Sequence, residues 1–349
     1  MNKQTELSLG SAHPQDERSF LLPPRLYNSA GEIRKVGFEI EFGGLSLEET
    51  AKIILSLYDG TLERKHNFAF KVKGTQFGDF HLESDSRFLS QKKYSAYLEK
   101  MGVAPESALT DNVEKFLDKL AGTLLPFEIA MPPIPINQLQ AAERIRERLF
   151  ENSALGTSSS IFAAFGMQFN PEVPDENPQT ILGYLRAFFL LYDWLVEESE
   201  IAIARRIAPY INPFPQEYMD LVLNPLYQPD MRNLILDYLD FNPTRNRPLD
   251  LLTLFTYLNR DLVFRFPVER HLIKARPTFH YRLPNSEIDD PHWSFAKEWN
   301  KWVFVEELAA DPVKSLRMSY DYFEFHSPSR IFQKGPWVSK TREWIDAKA

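Results

Sequence analysis

Apolar and polar residues alternate strictly in the stretch Val36-Gly37-Phe38-Glu39-Ile40-Glu41-Phe42, which predicts a strand with an apolar face and a face carrying both Glu39 and Glu41. A capping box at Ser46 and Glu49 then opens an amphipathic helix to about Tyr58. Alternation returns from Thr61. Phe68, Phe70 and Val72 share one side of a strand, and after Gly78 a second strand puts Asp79, His81, Glu83 and Asp85 on a common face. A helix over about 107–120 leads into an apolar strand, Leu124 to Met131, which holds the single carboxylate Glu128 and stops at Pro132-Pro133.

The next helix spans about 137–150, and the strand Ile161 to Asn170 places Gln168 and Asn170 on one side. From Asn177 to about Asp261 the spacing becomes helical throughout. A last strand, Ile273 to Asn285, would align Lys274, Arg276, Thr278, His280 and Arg282 on one face. Helices from about Pro291 to Met318 follow, with Trp293, Trp299 and Trp302 expected as core anchors. The expected class is α+β, and the expected organisation is an N-terminal tail over 1–30, one domain over 31–318 with a helical insert at about 177–261, and a C-terminal extension over 319–349.

Composition narrows the function. The 349 residues include 40 Lys and Arg against 48 Asp and Glu, a net charge of -8 that disfavours a nucleic-acid partner. There is no cysteine, so thiol catalysis and thiolate metal sites are excluded, and any metal must sit on oxygen or imidazole nitrogen. The polar N-terminus lacks a signal-peptide pattern and no segment reads as a membrane span, which makes the cytoplasm the expected compartment.

Against this background three features suggest chemistry. Glu39 and Glu41 on one strand face repel each other unless solvent or a hard cation separates them, and Glu128 among Leu, Phe, Ile and Met faces the same choice. The proline-braced loop Asn242-Pro243-Thr244-Arg245-Asn246-Arg247-Pro248 offers two guanidinium groups, suited either to helix capping or to phosphate recognition. The cationic face of the last strand suits the neutralising wall of a site holding carboxylates or phosphates.

The ordered segments VGFEIEFGG, FGDFHLESDSRF, PFEIAMPP, FGMQFNPE, NPTRNRPLD and RPTFHYRLPN resemble the bacterial amidoligase family of the glutamine synthetase-like carboxylate–amine ligase superfamily, over roughly residues 33–310. The resemblance implies a glutamine synthetase-like antiparallel curved sheet with flanking helices, holding ATP and Mg²⁺, or Mn²⁺ in its place. It further implies a carboxylate substrate, small molecule or peptide, activated as an acyl phosphate and joined to an amine.

Residue by residue, Glu39, Glu41 and Glu128 match the metal carboxylates, Arg282 a phosphate-binding arginine and Arg276 a second basic position. Gln168 stands where glutamine synthetases carry a metal-binding His, and His280 where they carry a metal-binding Glu, so a second metal is expected to be weaker, differently chosen or absent. Arg245, Arg247, Lys274, Gln168 and Asn170 complete the expected nucleotide side, with His280 retained as a metal candidate and Glu83 and Asp85 as candidate acceptors of the amine's proton. A guanidino-kinase-like phosphotransferase and a nucleotide-binding scaffold that has lost turnover are the alternatives. The substrates and the oligomeric state are not legible in the chain.

Overall fold

The computed structural model describes residues 18–66, 68–84, 127–157, 165–201, 211–327 and 336–347. The helix expected over 107–120, the residues leading into the Glu128 strand, Asp85, and residues 161–164 of the Gln168 strand lie outside these ranges.

The chain is α+β. Among the described residues nine strands form one sheet: β1 (Lys35–Phe42), β2 (Thr61–His66), β3 (Ala69–Thr75), β4 (Gly78–Ser84), β5 (Phe127–Ala130), β6 (Ile134–Pro135), β7 (Met167–Pro171), β8 (Leu249–Asp250) and β9 (His280–Tyr281). Their order is β2-β3-β4-β5-β1-β7-β9-β8, with β6 pairing β1 off this path, and every pairing is antiparallel. The first strand is central because its alternation lets one face disappear into the core. Val36, Phe38, Ile40 and Phe42 are all fully buried, and the register then sets every neighbour's polarity.

Helices cover that apolar face. In α1 (Leu47–Leu57) both halves of the Ser46–Glu49 capping box are formed, and the helix packs on β3 and β4. Gly44 makes the turn from β1 into it: its φ is +82°, and a Cβ there would stand 2.8 Å from Leu155 Cγ. α2 (Gln140–Glu151) follows a 3₁₀ turn at Ile136–Gln138, a later helix start than the spacing predicts. The helical half resolves into α3 (Pro178–Glu198), α4 (Gln216–Leu223), α5 (Met231–Phe241) and α6 (Leu252–Val263). α7 (Phe295–Ala310) brings aromatic rings under the middle of the sheet: Phe295 stacks on Phe38 at 5.4 Å, Trp299 meets Phe169 edge-on at 6.0 Å, and Trp302 lies 5.1 Å from Tyr281. The expected core role of Trp293, Trp299 and Trp302 is met. α8 (Pro312–His326) and α9 (Trp337–Asp346) close the chain against α3.

A buried ion pair fixes α7 beneath the sheet. Arg34, just before β1, donates two hydrogen bonds to Glu306 at 2.9 and 2.8 Å, Trp302 donates a third at 2.9 Å, and Tyr184 of α3 donates a fourth. Both charges are almost wholly out of solvent, so removal of either partner alone would strand the other. Upstream, the segment before β1 is tied to the same helix, with Asn300 accepting from the Leu21 amide and Trp299 donating to the Leu21 carbonyl.

One expected element is corrected. Instead of a long strand from Ile273 to Asn285, only His280–Tyr281 forms a ladder, flanked by single bridges from Thr278 to Glu172 and from Asn285 to Gly166. A 3₁₀ turn occupies Arg270–Leu272, and Pro277 and Pro284 lack the N–H that a continuous ladder needs.

Candidate functional site on the polar face

Register carries the site. Opposed residues of neighbouring strands share a face, and the pairings Glu83 with Glu128 and Glu128 with Glu41 set three carboxylates side by side across β4, β5 and β1. Two residues along, a second row runs Lys71, His81, Ala130, Glu39 and Gln168 from β3 to β7. Glu39 and Glu41 therefore do share the polar face, as their spacing requires.

The two rows differ in how their charges are met. Glu41 accepts from the Gly166 amide at 2.8 Å, while Glu83 lies at the exposed end of its row. Glu128 is flanked on both sides by residues of its own charge, an arrangement that positive charge nearby favours. Among the described residues no three His, Asp or Glu groups converge closely enough to hold a metal ion. The donor chemistry of this row, carboxylate oxygen throughout, is nevertheless that of a hard divalent cation.

Glu39 is met differently. Its Oε1 accepts from Asn170 Nδ2 at 2.9 Å and from Arg276 Nη2 at 3.1 Å, and the same Arg276 nitrogen donates to Asn170 Oδ1 at 2.7 Å. His280 Nδ1 lies 2.7 Å from that oxygen. An amide oxygen has no proton to give, so Nδ1 carries the hydrogen. Turning the amide round would aim its NH₂ at Arg276, so its orientation is fixed as well.

Burial, and then the cations Arg282, Arg245 and Arg276 set against the favourable Glu39, push His280 down to about 3, so its imidazole is neutral at ordinary pH. Its Nε2 is consequently a buried lone pair, and it has no partner among the described residues; Arg276 Nε is likewise a buried donor without one. Burial opposes the charge on Glu39, but His280, Arg276 and the Asn170 hydrogen bond together hold its carboxyl below the usual range. With His280 uncharged above about pH 3, the guanidinium carries that effect near neutrality.

The arginine loop splits. Arg245 reaches Asp250 at 3.4 Å, and its carbonyl accepts from Arg282 Nη1 at 2.8 Å, so these two arginines stand together, and both act with Arg276 on His280. Arg247 turns away: it donates to the carbonyls of Asn212, Pro213 and Phe241 and lies over the Phe214 ring, which commits it to bracing the loop. Lys274 is exposed, and together with burial, Lys71 and Lys65 it holds the His81 imidazole below its ordinary value, so its field reaches the β4 end of the face. Gln168 is buried opposite Glu39.

Sequence reasoning missed Asp250. This fully buried carboxylate, raised by burial against the pull of Arg245 and Arg282, is the counter-ion of the arginine cluster. The available signal was its position five residues after Arg245, inside the run NPTRNRPLD.

An antiparallel sheet whose open polar face pairs a row of carboxylates with clustered guanidinium groups defines a class of site that can gather a cation and phosphoryl or carboxylate oxygens together. The family model described as putative amidoligase enzyme matches residues 32–304, and the chain belongs to that family. A ligase role is what this membership supports. Comparison with curated proteins and with solved structures finds no match. Among the described residues no helix is long and apolar enough to cross a membrane.

Proposed function

We propose that the chain is an ATP- and Mg²⁺-dependent carboxylate–amine ligase working in the cytoplasm through an acyl phosphate. The observation that supports this reading is the carboxylate row Glu83, Glu128 and Glu41 beside Arg245, Arg276 and Arg282 in a member of the amidoligase family. Glu41 and Glu128 are the residues to hold the divalent ion, Mg²⁺ or Mn²⁺, and the ion when bound would neutralise charge on the nucleotide's phosphates.

The arginines offer N–H donors to the oxygens of the transferring phosphoryl group. A carboxylate oxygen of a small-molecule or peptide substrate attacks the γ-phosphorus, and the bond to the β–γ bridging oxygen breaks to release ADP. The amine nitrogen of the second substrate then attacks the acyl carbon, the carbon–oxygen bond to phosphate breaks, and inorganic phosphate leaves. Glu83, exposed at one end of its row, would take the ammonium proton; Asp85, the other candidate, lies outside the described residues.

ATP binding measured by calorimetry with and without Mg²⁺ tests this. The expected result is that Mg²⁺ tightens binding by about tenfold or more, ~1.4 kcal/mol, and that Glu41→Gln with Glu128→Gln loses the gain while retaining the fold. Equal binding in all four conditions would end the ligase reading.

A further inference from the structure

The Glu39 end of the face does not fit a second metal. Among the described residues its oxygen and nitrogen neighbours on β7 and β9 are Gln168, Asn170 and His280, all neutral, and its one charge is already matched by Arg276. We propose that the Arg276 guanidinium is the resident cation of this end, and that the face therefore takes a single divalent ion, at Glu41 and Glu128.

Three features hold the guanidinium there. Its Nη2 bridges Glu39 Oε1 and Asn170 Oδ1, so a displacing ion would break two hydrogen bonds at once. The backbone on either side is pinned: the Arg276 amide donates to the Thr253 carbonyl, the Arg276 carbonyl accepts from Thr278, the Pro277 carbonyl accepts from Val173, and Pro277 itself stiffens the segment. The Asn170 oxygen is shared with His280, so moving Arg276 leaves that imidazole's partner half satisfied. A dication placed on Glu39 would also sit against the guanidinium's positive charge with no further carboxylate in the row to offset it.

Arg276 is thereby a positioning residue as well as a donor. It keeps a fixed positive charge at one end of the face irrespective of metal supply. This rests on the ligase reading for the ion at Glu41 and Glu128, and on geometry alone for Arg276.

The test is Mn²⁺ binding to the full chain, read by electron paramagnetic resonance without nucleotide, so that activity plays no part. Wild type is expected to bind one Mn²⁺, with affinity changed less than about twofold by Glu39→Gln and lost on Glu41→Gln. Arg276→Met is expected to gain a second equivalent, which Arg276→Met with Glu39→Gln loses again, while Arg276→Lys stays at one. Should Arg276→Met not fold, Arg276→Gln makes the same comparison.

Two equivalents in wild type, one of them lost with Glu39, would overturn the proposal, as would an uncharged variant that gains none. If wild type binds no Mn²⁺, the ligase reading loses its metal; the Arg276 proposal then stands or falls separately on whether the uncharged variant gains a Glu39-dependent site.

Discussion

The two ends of the polar face solve the same electrostatic problem in opposite ways. At the β7 and β9 end, Glu39, Asn170, Arg276 and His280 interlock, with one negative charge set against one positive and a neutral amide and imidazole fixing both. At the β4 and β5 end, Glu128 stands between Glu83 and Glu41, and register alone brings like charges together. A balanced cluster adds to folding stability, whereas like charges set side by side subtract from it to the extent that nothing positive offsets them. On the function proposed above, the closed end is a frame and the open end is the part that takes the ligand.

Removing the hub of the frame should give the largest effect on stability. Asn170 is buried and serves Glu39, Arg276 and His280 together, so Asn170→Ala leaves three groups short of a partner. Loss of about 2–3 kcal/mol is expected in urea unfolding, at the upper end for a single buried polar group because two of its partners are charged. A loss below ~0.5 kcal/mol, the usual span of an inconsequential surface change, would show that the cluster is not a frame.

Acidification should loosen the same end by somewhat less. His280 is pushed down to about 3 by burial, while the unfolded chain's imidazole titrates at its ordinary 6.5. Between these values the unfolded state binds one more proton than the folded state. The stability this group supports is therefore complete above pH 6.5 and declines as pH falls towards 3, by up to ~1.4 kcal/mol per pH unit. Glu39 acts in the same direction, but only below its ordinary carboxylate value of 4.5. Unfolding measured at pH 6.5 and pH 5 should thus show a drop of about 1.6 kcal/mol from His280 in wild type, absent from His280→Gln. An identical drop in the variant would remove His280 from the account.

How much of this was legible follows from what strand periodicity can and cannot encode. Period two placed Glu39 with Glu41, and Gln168 with Asn170, on a common face, because side-chain direction in a strand is a local property. It could not say which strands are neighbours. Glu128 is 87 positions from Glu41 and 45 from Glu83, and only the sheet order β4-β5-β1 makes the three a row. The late cationic strand misled for a related reason. Alternation of Lys274, Arg276, Thr278, His280 and Arg282 looked like one face, but the prolines interrupt the ladder, so Arg276 reaches Glu39 from a loop while Lys274 stays exposed and acts on His81. Arg245 and Arg247 carry the same chemistry two residues apart. Tertiary surroundings alone decided that one joins Asp250 and the other braces backbone carbonyls.

The smallest effect expected is also the one that separates the two ends most sharply by sign. Glu128→Gln removes the middle charge of the row while keeping its shape and its hydrogen-bonding oxygen, so in metal-free buffer both neighbouring repulsions are relieved. The variant should be more stable than wild type by about 0.5–1 kcal/mol, which for a chain of this size is a rise in melting temperature of roughly 1–3 °C. At the other end the matching change, Glu39→Gln, leaves the Arg276 guanidinium facing a neutral amide and should lower stability under the same conditions. With Mg²⁺ added, wild type should recover its deficit and Glu128→Gln should not respond, since the cation has lost the carboxylate that made the row attractive to it. A chain that loses stability when Glu128 is neutralised would instead have that carboxylate already compensated from within, and the contrast between a framed end and a waiting end would fail at its simplest point.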